Sequence, residues 1–183
     1  MQVTVLTYQV PHRKTYDVLC LLKVRGYDDV RVFATPLAYT KHFHPLVQHR
    51  PDMQYRVPET SELCEALGYR YEEWQGYDGL SPIGPVLVCG AGLLPEAFVR
   101  KNTIINGHPG LIPYARGLDA LKWALYEGMP VGATSHVIGD EVDAGEVIKR
   151  REVVLRKEDT VLSLGLRVYS EEIDMLVGAL DKR

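Results

Sequence analysis

A regular alternation of β-rich runs with helical apolar patterns is what most narrows the ways this chain can fold. Val3 to Thr7, Val30 to Ala34, Val86 to Cys89 and Thr103 to Ile105 read as short strands. Between them lie segments with helical signals. Lys14 to Arg25 carries Val18, Leu19, Leu21, Leu22 and Val24 and stops at Gly26. Ser61 to Leu67 opens on Thr60 or Ser61 and stops at Gly68, whereas Pro95 to Val99 has proline in its first turn. Strands separated by helices call for parallel pairing, because parallel neighbours need a crossover. Val86 to Cys89 is apolar without interruption, the pattern of a strand covered on both faces. The expected fold class is therefore α/β, a mostly parallel twisted sheet with helices on both faces. Chemistry in such sheets gathers beyond the carboxyl ends of the strands.

The second half predicts a helix from Leu118 to Glu127, ended by Gly128 and Pro130, then strands at Thr134 to Ile138 and Glu146 to Leu155. Asp159 or Thr160 opens a last helix whose Val161, Leu164, Val168, Ile173, Leu176 and Leu180 form one packing face. A length of 183 residues fits one domain. Residues 1–155 are expected to form it, with 156–183 packed on the same domain. Pro36 to Pro58 (with His42, His44, His49 and Arg50) and Gly68 to Pro85 (with Tyr69, Tyr71, Trp74 and Tyr77) are long for plain connections. They read either as substrate loops or as surface loops without a special role.

A formal net charge of −3 argues against a mainly electrostatic nucleic-acid binder, which needs excess cations to neutralise phosphates. A local cluster, His12-Arg13-Lys14, could still meet one or two phosphates. Cys20, Cys64 and Cys89 are odd in number and form no CxxC pair, so neither a disulfide framework nor a zinc ribbon is expected. Buried thiols in a reducing compartment are the simpler reading. No stretch of about 18 apolar residues occurs, and Met1 to Val5 begins as a strand and not as a signal peptide. A cytoplasmic protein with no membrane partner is expected.

The chemically informative stretch is Ile105-Asn106-Gly107-His108-Pro109-Gly110. Residues two apart in an extended chain point to the same side, so Asn106 and His108 can address one reacting group. A carboxamide can donate to a developing oxyanion. An imidazole can move a proton near neutral pH. Asp143, before Ala144-Gly145, is a candidate partner for that imidazole. The competing reading has Asn106 capping backbone groups, His108 as a satisfied core histidine and Asp143 as a turn residue. His136 by itself reads as a strand residue. The histidines show no metal-ligand spacing, so no metal is expected. Gly90-Ala91-Gly92 follows a strand, but Pro95 stands where a dinucleotide fingerprint needs its third glycine.

Taken in order, Asn106-Gly107-His108-Pro109, Leu111-Ile112-Pro113, Arg116-Gly117, Trp123-Ala124-Leu125, Gly128, Gly132-Ala133-Thr134-Ser135-His136 and Asp143-Ala144-Gly145-Glu146-Val147-Ile148 resemble the catalytic core of the folate-dependent formyltransferases. Val86 to Val99 is similar to that family's strand and following folate-contacting turn. The resemblance implies a Rossmann-like fold and transfer of a formyl group from 10-formyltetrahydrofolate, a co-substrate, to a small-molecule amine. It implies that Asn106 hydrogen-bonds the formyl oxygen, that His108 assists proton transfer, and that Asp143 supports His108. His136 would stand behind them. The pterin would meet the backbone of Gly92, Leu93 and Leu94 and the loop carrying Gly139, Asp140 and Glu141.

The family's ribonucleotide branch has a glycine-rich phosphate loop after its first strand. This chain instead reads Thr7-Tyr8-Gln9-Val10-Pro11-His12-Arg13-Lys14. The tRNA branch adds a C-terminal domain for which the chain ends too early. The run from Asn106 through Leu125 is most similar to the nucleotide-sugar branch, so the expected acceptor is an amino sugar on a nucleotide, with Arg13, Lys14 or Arg116 meeting its phosphates. Alternatives are a glycinamide ribonucleotide or other small-amine formyltransferase, a non-catalytic folate-binding module, and a formyl-folate hydrolase. The stripe on the last helix permits a homodimer.

Overall fold

The computed structural model describes residues 1–37, 47–52, 56–139 and 145–182. The chain divides into two compact units, Met1–His42 with Asp52–Ile104, and Phe43–Pro51 with Ile105–Arg183.

The first unit carries β1 (Val3–Tyr8), α1 (Arg13–Val24), β2 (Val30–Thr35), α2 (Thr60–Leu67), β3 (Arg70–Glu73), β4 (Val86–Val88) and α3 (Glu96–Lys101). Its strands lie in the order β3-β2-β1-β4. Every pairing among them is parallel, with Val3 opposite Val30, Thr4 opposite Val86 and Arg31 opposite Arg70. The expected α/β pattern is realised here. Val3, Val5, Val32, Val86 and Leu87 have no exposed surface, and Val18, Leu19 and Leu22 of α1 are equally buried. Gly68 ends α2 in the left-handed region at φ 74°, a conformation that favours glycine.

β3 lies inside the segment read as a loop. Its sequence, Arg-Tyr-Glu-Glu, has no apolar alternation to announce a strand. It is an edge strand, and Arg31 on β2 donates to Glu72 at 2.6 Å across the pairing. Charged side chains on an edge discourage pairing with other chains.

The second unit carries β5 (Ile104–His108, whose first residue closes the first unit), α4 (Ala120–Tyr126), β6 (Gly132–Val137), β7 (Val147–Glu152), α5 (Val161–Gly178) and a short 3-10 turn (Ala179–Lys182). Here β5, β6 and β7 pair antiparallel. The link from β6 to β7 is too short for the crossover that parallel strands require. The strand expected to end at Ile105 runs on to His108, so Asn106 and His108 lie within it and not beyond it. Thr160 caps α5 through a reciprocal bond with Ser163, as expected of a helix opened there. Leu164, Val168, Ile173, Leu176 and Leu180 are buried.

Residues 47–51 pack within this second unit. A Cβ on Gly165 would lie 2.1 Å from the His49 carbonyl oxygen, so the chain passes directly over α5 there. Arg50 donates to Glu172 at 2.9 Å, and His49 Nε2 stands 3.7 Å from Asp119.

The cysteines are free, with Cys64 and Cys89 buried. Burial pushes the Cys64 thiol up to about 12. Because the thiolate is the nucleophile, iodoacetamide at pH 8 should leave Cys64 unmodified in the native chain and label it readily in urea. Mass mapping of labelled peptides reads the difference; fast native labelling would contradict the burial.

Candidate active site

Asn106 and His108 sit two apart on β5 and therefore share one face of it. The antiparallel register sets Asn106 opposite His136 and His108 opposite Thr134. Directly opposed residues also share a face. One face thus collects Asn106, His108, Thr134 and His136. Gly107 and Ser135, opposed to each other, point the other way. A Cβ on Gly107 would meet Glu172 Cγ at 3.1 Å and Leu176 Cβ at 3.3 Å, so α5 covers that second face.

The hydrogen bonds fix how the polar groups present themselves. His136 Nδ1 lies 3.2 Å from the Val137 carbonyl oxygen, which can only accept, so the proton is on Nδ1. Neutral His136 then offers Nε2 as an acceptor. Asn106 Nδ2 approaches it at 3.4 Å, a long hydrogen bond. That contact turns the carboxamide so that one N–H faces His136 and the second N–H can serve a ligand.

His108 is buried, and its Nε2 donates to the Ala115 carbonyl at 2.9 Å. With that proton on Nε2, a neutral ring keeps its basic lone pair on Nδ1. The His108 and His136 rings stand edge to face, 6.4 Å between centroids.

Thr134 holds the loop that follows β5. Its hydroxyl donates to Gly110 O at 2.7 Å and accepts from Ile112 N at 3.1 Å. A Cβ on Gly110 would lie 2.8 Å from His108 Nε2 and 2.6 Å from Ala115 O, so glycine lets this loop close around the imidazole. The role of Thr134 was missed in the sequence, where it read only as a strand residue.

Gly139 and Gly145 bring the two ends of the next loop together. A Cβ on Gly145 would lie 1.7 Å from Val137 O, and one on Gly139 would lie 3.3 Å from Gly145 Cα. Asp140, Glu141 and Asp143 lie between these glycines, outside the described residues. Arg116 is exposed on the loop before α4.

In the first unit, Gly92 and Leu93 are exposed after β4, and Leu94 is half-buried. Arg13 donates through Nε to both carboxylate oxygens of Asp17 at 3.0 Å. Lys14 is buried at 7% exposure. His12 Nδ1 lies 2.9 Å from Thr15 Oγ1, and Gln9 Nε2 donates to Ala34 O at 3.1 Å and Trp74 O at 3.2 Å. Gln9 thereby links the carboxyl ends of β1, β2 and β3. Among the described residues, no group of three His, Cys, Asp or Glu side chains is placed to hold a metal ion, and no helix is long and apolar enough to cross a membrane.

The human trifunctional purine biosynthetic protein adenosine-3 is 37% identical over 100 residues, which cover 51% of this chain and 10% of that protein. A dTDP-4-amino-4,6-dideoxyglucose formyltransferase of Mycobacterium bovis is 31% identical over 87 residues, covering 48% of this chain and 37% of that one. These matches span well under two thirds of the relatives' own lengths. Among solved structures, the phosphoribosylglycinamide formyltransferase of Anaplasma phagocytophilum aligns with a TM-score of 0.69 at 22% identity, over 98% of this chain and 84% of that one, a likeness of fold. The formyl transferase family model matches residues 76–180, more than half the chain and including β5, β6 and α5, and the chain therefore belongs to the formyl transferase family.

Proposed function

We propose that the chain moves a formyl group from 10-formyltetrahydrofolate to a primary amine, with Asn106, His108 and Asp143 as its catalytic groups. The observation that carries this reading is the shared face of Asn106 and His108, with the carboxamide turned by His136. A neutral amine is already a nucleophile, so no serine or cysteine is required. As the amine nitrogen bonds to the formyl carbon, the carbonyl oxygen gains negative charge. The second N–H of Asn106 stabilises that oxygen. The attacking nitrogen must then lose a proton, and N10 of the folate must gain one as its bond to the formyl carbon breaks. His108 Nδ1 suits that transfer, and Asp143 supports the imidazolium it passes through. Gly92, Leu93 and Leu94 are proposed to receive the pterin through their backbone groups, together with the loop from Gly139 through Asp140 and Glu141.

The acceptor we favour is an amino sugar carried on a nucleotide. Two points support it. The Mycobacterium bovis relative is named for such a substrate. The turn after β1 has no glycine-rich run to wrap a ribonucleotide phosphate. Of the cations considered for the sugar's phosphates, Arg116 is the most exposed, whereas Arg13 is engaged by Asp17 and Lys14 is buried. An acceptor screen with 10-formyltetrahydrofolate tests the reading. Formyl transfer to nucleotide-linked amino sugars is the expected result. Transfer to glycinamide ribonucleotide alone would move the assignment to that branch, and formate release without any amine would make the chain a hydrolase.

A further inference from the structure

We propose that Arg50 is a positioning residue for the transfer step: its guanidinium holds Glu172 of α5 against Gly107 and so fixes the strand that presents Asn106 and His108. The inference rests on the reading above, in which those two residues carry the chemistry.

β5 has no side chain at Gly107 to space it from α5. A Cβ there would lie 3.1 Å from both Cγ and the carbonyl oxygen of Glu172, and 3.3 Å from Leu176 Cβ. Any slide of α5 therefore passes directly to the backbone between Asn106 and His108. Leu164, Val168, Glu172 and Leu176 recur every four residues and form one buried row of the helix. Apolar members of such a row tolerate small slides of a helix on a sheet. A buried ion pair does not, because a shift strands its charge. Glu172 is 1% exposed, and Arg50 Nη2 donates to its Oε2 at 2.9 Å. That pair sets where α5 stops on the strand.

Arg50 is in turn placed by its neighbour. The His49 carbonyl crosses α5 at Gly165, where a Cβ would lie 2.1 Å from the oxygen. Gly165 and Glu172 lie about two turns apart on one helix face, so residues 49 and 50 hold α5 at two levels. His49 Nε2 stands 3.7 Å from Asp119, the residue before α4. Burial lowers the His49 pKa, so at neutral pH the ring packs beside Asp119 without a charge of its own. Ala120 follows, and a Cβ on Gly110 would lie 2.8 Å from its Cβ, in the loop whose Ala115 carbonyl accepts from His108 Nε2. Two adjacent residues thus reach the elements packed on both flanks of His108, at Gly107 and at Gly110. Of the two, Arg50 is the one that carries a charge.

The test measures transfer from 10-formyltetrahydrofolate to the amine that the acceptor screen selects, well below each variant's thermal midpoint. Arg50→Met should lower kcat about ten- to a hundredfold, the cost of a misplaced catalytic group, with KM for both substrates within about twofold of wild type. Arg50→Lys returns a cation to the one oxygen contact and should recover most of the loss. Leu63→Ala, a buried truncation on α2, should lower the midpoint comparably and leave kcat within about twofold. The His108 Nε2 proton, followed by NMR, should exchange faster in Arg50→Met and not in Leu63→Ala. Arg50→Gln, which also removes the charge, carries the same comparison if Arg50→Met does not fold. A kcat near wild type in the variant without the charge, or an equal kcat loss in Leu63→Ala, overturns the inference alone. A wild-type chain that formylates no amine overturns the transfer reading. The Nε2 proton then decides the hold on β5 by itself, and unchanged exchange in Arg50→Met overturns it.

Discussion

Asn106→Ala should lower formyl-transfer turnover at least about a hundredfold, the usual cost of losing one oxyanion donor. The fold should survive, because among the described residues the Asn106 side chain makes only the long contact to His136 Nε2. His108→Ala should cost at least as much in turnover. It also strips the Ala115 carbonyl of its donor inside a buried loop, so about 1–2 kcal/mol of stability should go with it. The two losses therefore separate: Asn106→Ala reads as chemistry almost alone, and His108→Ala as chemistry plus a modest drop in thermal midpoint. His136→Ala should fall between them and wild type, since it frees the carboxamide to rotate without removing the donor. Turnover, folate binding and thermal unfolding measured on the three variants distinguish these cases. Near-normal turnover in Asn106→Ala would falsify the oxyanion role and leave the shared face without a function.

The parts of this fold that were legible in the sequence are those where burial on two faces forces a continuous apolar run. Val86 to Val88 declares itself in that way, and Thr160 with Ser163 declares a helix start by its side-chain chemistry. Periodicity carries no strand direction, however, so the antiparallel β5, β6 and β7 were not visible. Nor was the extension of β5. Asn, Gly and His are poor strand formers, and they are drawn into the ladder only by pairing with Thr134 to His136. β3 stayed hidden because an edge strand of charged residues lacks any apolar signature. At the site, spacing alone put Asn106 and His108 on one face. What spacing could not supply was register: that Asn106 lies opposite His136, and that Thr134 bonds the loop after β5, depend on pairing between segments far apart in the chain.

Arg50 and Glu172 show the same limit at its widest, and they carry the largest stability effect. Glu172 is 1% exposed and its side chain presses on Gly107, between the two candidate catalytic residues on β5. A carboxylate so placed is costly unless compensated, and Arg50 donates to it from the segment that crosses Gly165. Arg50→Met keeps the stem and removes the charge. The loss should be about 2–4 kcal/mol, below the full range for a broken buried pair because the Arg50 side chain is 34% exposed. Replacing both partners should cost less than replacing Arg50 alone, since an apolar pair leaves no charge stranded. Urea unfolding of Arg50→Met, Glu172→Met and the double variant measures both effects. A double variant no more stable than Arg50→Met would show that Glu172 draws its compensation from elsewhere, and that the segment around Arg50 merely covers α5 without stabilising the strand beneath it.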